Sequence, residues 1–292
     1  MTDADAAEID GLLGVLDLHS SDARTTEDIF TGVSQPMPLG RVFGGQVLAQ
    51  AIVAAERTVE AGRAAHSMHG YFLRPGDSTR GLTFSVDRIH DGRSFSTRRT
   101  QAFQDGVPIF SMIASFETHA ESLDHADVMP AGIPAPEELS ADAEMAGVDP
   151  GNRRHFTGSP IEVRHVEAPI YAVADATQVA RQAVWMRTRG ALPDDPRVHR
   201  AALAYMSDLT IQESVLRAHG LAWGTSGLKV ASLDHAMWWH RPGRADEWVL
   251  YVQESPSARG GRGLATGKIF ARDGELLASV AQEIMIRVPA AG

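Results

Sequence analysis

Two stretches of the chain alternate apolar and polar residues and then end in Arg-Pro-Gly. Residues 66–76 read HSMHGYFLRPG, and residues 230–243 read VASLDHAMWWHRPG. An alternation with a period of two predicts a half-buried strand, and the proline predicts a turn at its end. Two strands that share this composition and this ending predict two related modules in one chain.

In the first half of the chain, an apolar pattern with helical spacing precedes segments with strand spacing. Val47, Ala51 and Ala54 share one helical face, and Gly44 and Gly45 stand at the predicted start of the helix. Strand-like segments follow at residues 66–73, 82–89, 95–103 and 108–117. Asp-Gly pairs in this region predict hairpin turns. We therefore predict one helix followed by an antiparallel sheet.

The second half of the chain repeats this order. A helix is predicted with Asp195 as its N-cap and Pro196 in its first turn, and it is expected to run to about Ala218, before Gly220. Strands are predicted at residues 161–166, 182–187, 229–240, 248–254, 263–270 and 275–287. The second half thus has the same elements as the first.

The spacing of the repeated motifs supports a duplication. The Arg-Pro-Gly motifs begin at Arg74 and Arg241, which gives 241 − 74 = 167 residues, and Asp105 and Asp273 begin Asp-Gly pairs 273 − 105 = 168 residues apart. The alternative is a chance match of short turn motifs. The predicted organisation is a helical appendage (1–24), a first module (25–118), a linker (119–160) and a second module (161–290).

Composition and charge narrow the classes of function. The 292 residues carry a formal net charge of −10, which argues against a nucleic-acid partner, because phosphates attract a basic surface. There is no cysteine, which excludes disulfides and thiolate chemistry and fits a cytoplasmic protein. No signal peptide is recognisable, and no apolar run is long enough to predict a membrane span.

Asp208 is an anomaly in the second predicted helix, because its spacing aims a carboxylate toward the apolar side. A buried carboxylate needs hydrogen-bond partners or a raised pKa. Ser232 and Gln282 lie in predicted strands and are candidate partners. Carboxylate, hydroxyl and amide together can hold a water molecule, with the carboxylate as general base. Alternatively, Asp208 bonds a nearby backbone N–H and the other two residues are structural.

Other site chemistries fit the sequence poorly. In a regular strand, Ser232 and Asp234 face one side while His235 faces the other, which argues against a Ser-His-Asp triad. The histidine pairs 66/69 and 235/240 have odd spacings and would lie on opposite faces, so no metal site is expected. No G-x-S-x-G elbow, P-loop or dinucleotide fingerprint is present, and no cofactor is expected.

Several long motifs resemble those of the acyl-CoA thioesterase II family and occur in one order along the chain. They are VFGGQV at 42–47, HSMHGYFLRPGD at 66–77, DGRSFSTRR at 91–99, PDDPRVH at 193–199 and SLDHAMWWHRP at 232–242. The resemblance implies an α+β double hot-dog fold, in which two tandem modules each wrap an antiparallel sheet around one long helix. It also implies hydrolysis of fatty acyl-CoA to a free fatty acid and coenzyme A.

The resemblance also assigns site residues. The family's catalytic Asp and Gln fall on Asp208 and Gln282, and its hydroxyl position falls on Ser232, where bacterial members often have Thr. These three residues are expected to hold the attacking water, with no acyl-enzyme intermediate. Ala65 stands 167 residues before Ser232, so one active centre per chain is expected.

The remaining expectations concern substrate contacts and alternatives. Backbone N–H groups of Gly44 and Gly45 are candidate donors to the oxyanion, although close helix packing explains these glycines equally well. His66 is a candidate substrate contact, with a core histidine as the alternative. An enoyl-CoA hydratase or dehydratase and a non-catalytic acyl-CoA-binding protein are the rival functions. Association into a homo-oligomer is expected only by resemblance.

Overall fold

The computed structural model describes residues 3–21, 23, 25–37, 39–141 and 159–288. Within them, thirteen strands form one antiparallel sheet that packs against a small number of helices. The predicted linker lies partly outside these residues, since only 119–141 and 159–160 are described. The C-terminal end predicted for the second module, residues 289–290, also lies outside them.

The first module consists of helix α2 (Gly44–Glu56) and strands of the first half of the sheet. These strands are β2 (Asp28–Gly32), β3 (Arg63–Phe72), β4 (Leu82–Asp91), β5 (Phe95–Gln104) and β6 (Val107–Thr118). Helix α1 (Asp3–Leu16) and the short strand β1 (His19–Ser20) precede them. Helix α2 packs against β3, β4, β5 and β6, as its apolar face predicts.

The second module has two helices, α3 (Pro196–Ser207) and α4 (Glu213–Ala218). Its strands are β7 (Ile161–His165), β8 (Arg181–Thr188), β9 (Lys229–Ser232), β10 (Asp234–Trp239), β11 (Val249–Arg259), β12 (Arg262–Ala271) and β13 (Leu276–Arg287). Helix α3 begins as predicted, because the Asp195 side chain accepts a hydrogen bond from the backbone N–H of Arg197.

The two modules share one sheet. The order of strands is β1-β2-β4-β5-β6-β3-β10-β13-β12-β11-β8-β7, and β9 also pairs with β13. Strands β3 and β10, which carry the repeated motif, pair with each other at the junction, with Met68 opposite Met237. The α+β double hot-dog architecture implied by the resemblance is confirmed. No helix in the described part of the chain is long and apolar enough to cross a membrane.

Helices α2 and α3 pack closely against each other. A Cβ atom at Gly45 would collide with the backbone carbonyl oxygen of Tyr205, so the approach depends on glycine at this position. At the other end of α2, Glu56 forms an ion pair with Arg200 of α3 at 2.5 Å. The two modules are therefore joined in two ways: by the contact between helices α2 and α3, and by strand pairing in the shared sheet.

The prediction of one helix up to Ala218 is wrong. Helix α3 ends at Ser207, Asp208 is its C-cap, and α4 begins only at Glu213. Ser207, Asp208 and Thr210 have short polar side chains, which favour helix ends because they compete for backbone hydrogen bonds. Gly220, at φ +59°, ends α4 as predicted.

The prediction of one regular strand over residues 229–240 is also wrong. Ser232 pairs with Ile284 of β13, whereas Ala236 pairs with Ala281, so four residues of this segment span only three of β13. The extra residue is a bulge at Leu233, which lies between β9 and β10. The bulge cancels the alternation between Ser232 and His235, and both side chains contact Gln282. They are not on opposite sides, as strict alternation implied.

Candidate active site

A cavity of about 960 Å³ opens between the start of α2 and the end of α3. Asp208 and Ser232 line it beside a largely apolar wall. That wall includes Val42, Phe43, Phe72, Leu73, Ile109, Phe110, Leu209, Trp223 and Val230. A mostly apolar cavity with few polar groups is the usual form of a small-molecule site.

Asp208 lies where the end of α3 meets the start of α2. It is 5% exposed, and its carboxylate accepts a hydrogen bond from the backbone N–H of Gly45. A Cβ atom at Gly44 would stand only 2.5 Å from Oδ2 of Asp208, so a side chain at this position would displace the carboxylate. The free N–H groups of the first helical turn favour a negative charge here.

Burial raises the pKa of Asp208 to about 6, above its ordinary value of 3.8. Hydrogen bonds from Gln282, from the Gly45 N–H and from Ser232 oppose this rise. No cation contributes to the balance. The carboxylate is therefore ionised near neutral pH and still basic enough to accept a proton, which suits a general base.

Ser232 and Gln282 lie next to Asp208. The Nε2 of Gln282 donates to Ser232 Oγ at 2.9 Å, and Gln282 also hydrogen-bonds the Asp208 carboxylate. Ser232 Oγ lies 3.4 Å from Asp208 Oδ1, which is long for an O–H···O bond. The structure thus brings the three predicted residues together, although Gln282 is fully buried and stands behind the residues that line the cavity.

Two site residues were not predicted from the sequence. Gln212, between α3 and α4, lines the cavity and donates from Nε2 to Ser232 Oγ at 2.9 Å. His235 is 1% exposed and lies against Gln282, on the side away from Ser232. The break after Asp208 brings Gln212 to the site, and the bulge at Leu233 does the same for His235. Neither the helix break nor the bulge can be predicted from the pattern of hydrophobic residues.

The three candidate substrate contacts lie in different places. Gly44 lines the cavity at the start of α2, whereas Gly45 is buried between the helices and its N–H is directed to Asp208. His66 lies on β3, where its Nε2 is 2.9 Å from Ser115 Oγ and its ring packs edge-on against Phe95. Of the three, only Gly44 stands among the cavity-lining residues.

Helix α1 contributes to the site, although the sequence suggested only an appendage. Ile9, Leu12 and Val15 are buried in the common core. On another side of the helix, Glu8 and Gly11 line the cavity. Glu8 also forms an ion pair with Arg189 of the second module at 3.0 Å. The N-terminal helix is therefore part of the cavity wall.

Positive charge lies at another part of the cavity wall. Arg41 is exposed and precedes α2, and Arg74 follows β3 and donates to the carbonyl oxygen of Pro108 at 2.8 Å. Both are cavity-lining residues. Among the described residues, no group of three His, Asp or Glu side chains is arranged to hold a metal ion.

Comparisons with known proteins agree with this architecture. The model of the acyl-CoA thioesterase family matches residues 154–285, and the model of its N-terminal domain matches residues 33–117. The chain is 37% identical over 268 residues to acyl-CoA thioesterase 2 of Haemophilus influenzae, a match that covers 89% of this chain and 92% of that protein.

Solved structures show the same similarity. The chain resembles acyl-CoA thioesterase II TesB2 from Mycobacterium marinum with a TM-score of 0.77 and 44% identity, over 96% of this chain and 99% of that one. A hot dog fold protein from Alicyclobacillus acidocaldarius matches with a TM-score of 0.78 over 96% of this chain and 99% of that one, at 20% identity, which shows the shared fold alone. The chain belongs to the acyl-CoA thioesterase family and is a thioester hydrolase.

Proposed function

We propose that the protein hydrolyses fatty acyl-CoA by direct attack of a water molecule held by Asp208, Ser232 and Gln282. The observation that carries this proposal is a buried carboxylate that lines an apolar cavity and has only neutral hydrogen-bond donors as partners. Because no cation neutralises its charge, such a carboxylate can accept a proton from a bound water.

We place the water on the cavity side of Ser232 Oγ and the Asp208 carboxylate, within reach of both. Ser232 Oγ accepts from Gln212 and Gln282 and keeps its own hydrogen to donate; since its 3.4 Å bond to Asp208 is long, that hydrogen can turn to a water that also bonds the carboxylate. The amide N–H groups of Gln282 bond Ser232 and Asp208 and so hold in place the two residues that contact the water. Three positioned groups orient the nucleophile before attack, which reduces the entropic barrier.

In the reaction, the water oxygen bonds to the thioester carbonyl carbon while Asp208 takes a proton from the water. The carbonyl oxygen becomes an oxyanion, and the N–H of Gly44 at the start of α2 is the donor we assign to it, because Gly44 lines the cavity. The C–S bond then breaks. Asp208 returns the proton to the departing sulfur, which yields the free acid and the thiol of coenzyme A.

The cavity has surfaces suited to both parts of the substrate. The apolar wall that includes Phe72, Ile109 and Phe110 suits an acyl chain. Arg41 and Arg74 supply positive charge for the phosphates of coenzyme A. We therefore place the phosphates near the two arginines and the acyl chain along the apolar wall.

The rival functions have less support. In a hydratase, a histidine beside the carboxylate would have to reach the substrate, but His235 is buried behind Gln282 and both of its ring nitrogens have protein partners. A protein that only binds acyl-CoA has no need for a carboxylate with a raised pKa at the cavity wall.

The test is the release of free thiol from a series of fatty acyl-CoAs by wild type and by Asp208→Asn. We expect the variant to lose about 10²–10⁴-fold in kcat, because general base catalysis contributes about that much. Asp195→Asn is the matched control, since it makes the same change at the other end of α3, where Asn is an equally good N-cap. Equal rates for wild type and Asp208→Asn would refute the role of Asp208.

Two further measurements address the mechanism. The kcat of wild type should fall about tenfold per pH unit below pH 6, because protonated Asp208 accepts no proton from water. A rapid burst of thiol equal to the enzyme concentration, followed by a slower steady rate, would indicate an acyl-enzyme and contradict direct attack.

A further inference from the structure

His235 lies behind the site, outside the cavity wall, and each of its ring nitrogens has a partner. Nδ1 is 2.5 Å from Oε1 of Gln282, and Nε2 is 2.9 Å from Oγ of Ser207 at the end of α3. The ring is 1% exposed, and burial lowers its pKa to about 4, so it is neutral at pH 7. One nitrogen of a neutral ring donates a hydrogen bond and the other accepts one.

The amide of Gln282 has two possible orientations with opposite consequences. With Nε2 toward the cavity, its two N–H groups donate to Ser232 and to the Asp208 carboxylate. With the amide turned over, its carbonyl oxygen would face the ionised Asp208, and two acceptors would repel each other. The first orientation leaves Oε1 buried and in need of a donor, which costs stability if it is not supplied.

We propose that His235 is a positioning residue, which carries its proton on Nδ1 and holds the Gln282 amide in the orientation that donates to Asp208 and Ser232. The inference rests on the proposed function of Asp208 as the general base. His235 does not touch the cavity, and its Nδ1 reaches the proposed reacting groups through Gln282.

With the ring proton on Nδ1, Nε2 of His235 needs a donor, and Ser207 is the hydroxyl within reach. Its Oγ lies 2.9 Å from His235 Nε2 and 2.8 Å from the carbonyl oxygen of Ala204, and its single hydrogen serves one of them. When the Ser207 hydroxyl donates to Nε2, the proton of the ring stays on Nδ1, opposite Gln282 Oε1. The last residue of α3 is thereby connected to the amide on β13.

The side chain of asparagine provides a sharp test. In His235→Asn the amide nitrogen occupies about the place of Nδ1, whereas in His235→Gln it reaches about the place of Nε2, and His235→Leu has no donor. We expect His235→Asn to keep most of kcat. We expect His235→Gln and His235→Leu to lose about 100-fold, because misplacement of a positioned group costs about that much. KM should stay near the wild-type value in all three variants, since His235 is outside the cavity wall.

A double-mutant cycle separates positioning from a general structural role. If His235 acts through Gln282, then His235→Leu has no further effect on kcat in a Gln282→Ala background. Losses that multiply in the double variant would overturn the proposal. If His235→Leu does not fold, as a thermal melt would show, His235→Gln takes its place in the cycle.

The outcomes distinguish this inference from the proposed function. Full activity of Gln282→Ala would refute the proposed catalytic set itself. A large loss in Gln282→Ala, together with full activity of His235→Gln and His235→Leu, would refute the positioning role alone. Long-range ¹H–¹⁵N correlation NMR of the wild type gives an independent readout. A neutral His235 protonated on Nδ1 supports the proposal, and one protonated on Nε2 overturns it.

Discussion

The C-terminal ends of helices α2 and α3 occupy similar positions in the two modules, and each presents a buried carboxylate to the start of the other helix. Glu56 is the last residue of α2 and forms an ion pair with Arg200 in α3. Asp208 follows the last residue of α3 and accepts a hydrogen bond from the N–H of Gly45 in α2. One carboxylate faces a cation, and the other faces the N–H of a glycine.

Under the proposed function, this difference separates a structural helix end from a catalytic one. Glu56 does not line the cavity, and Arg200 occupies the space beside it. At the other end, Gly44 and Gly45 have no side chains, so the carboxylate of Asp208 remains open to the cavity. Burial raises the pKa of both groups, to about 7 for Glu56 and about 6 for Asp208. What distinguishes the two ends is therefore access and the type of partner rather than burial.

The strands of the two modules also differ in the partners of their histidines. In the first module, His66 of β3 hydrogen-bonds Ser115 of β6, whereas in the second module His235 of β10 hydrogen-bonds Gln282 of β13. Serine has one oxygen, but the glutamine amide accepts a hydrogen bond at one end and donates two at the other. Only the second arrangement carries a hydrogen-bond chain from the buried histidine to Asp208.

Gly44→Ala is expected to lower activity strongly, because it places a side chain against the Asp208 carboxylate. The new Cβ atom would lie 2.5 Å from Asp208 Oδ2 and 3.1 Å from Phe72 Cζ. Displacement of the carboxylate should lower kcat by about 10²-fold or more. Steady-state thiol release measures it, with Gly14→Ala in α1 as control, since a Cβ atom there meets nothing within 4 Å. An active Gly44→Ala would show that this close approach is not required.

Asp208→Asn should stabilise the fold while it removes activity. The pKa of Asp208 is higher in the folded protein than its ordinary 3.8, so ionisation of this group destabilises the folded state as pH rises from about 4 to 6. At pH 8 the variant should gain about 3 kcal/mol over wild type, and the gain should vanish below pH 4. Urea unfolding at both pH values measures this, and a gain independent of pH would contradict the assigned cause.

Ser232→Ala should reduce kcat by a smaller factor, about tenfold, because the hydroxyl proposed to orient the water is lost while the general base remains. Ser232→Thr keeps the oxygen and should remain close to wild type, since the hydroxyl still faces Asp208 and Gln282. The comparison of the two variants separates the effect of the hydroxyl from the effect of side-chain volume. A Ser232→Ala enzyme with full kcat would leave Asp208 and Gln282 as the only water-holding residues.

Glu56→Gln should have the smallest effect on turnover, because Glu56 does not line the cavity. Its effect should appear in the free energy of unfolding: because burial raises the pKa of Glu56 to about 7 even with Arg200 beside it, removal of the charge should stabilise the fold above pH 7. Parallel measurement of kcat and of urea unfolding separates these outcomes. A large fall in kcat would show that the two helix ends are functionally coupled.

Much of the fold was predictable because it depends on local patterns. Alternating strands, the Asp195 N-cap and the Asp-Gly turns are specified by neighbouring residues, and Asp105 and Gly106 both have the positive φ that such a turn requires. The fold name and the roles of Asp208, Ser232 and Gln282 required the family resemblance in addition, because periodicity alone left structural roles open for each of the three.

Two irregularities were not predictable from the pattern. Leu233 is an apolar residue that fits the regular alternation, so the sequence gives no sign of a bulge there. The position of the bulge depends on pairing with β13, about fifty residues away. The end of α3 at Ser207 follows an apolar stripe that continues beyond it into α4. Both depend on tertiary contacts. Both also determine the site, since they bring His235 and Gln212 to it.

The wall formed by helix α1 has an evolutionary consequence. Glu8 and Gly11 border the cavity, yet they belong to neither copy of the duplicated unit. A side chain at Gly11 would meet Gln35 at 3.9 Å and no atom of Asp208 or Gln282, so it would change the cavity wall without displacing those residues. Selection can therefore vary this part of the cavity wall without changing the duplicated modules that contain Asp208, Ser232 and Gln282.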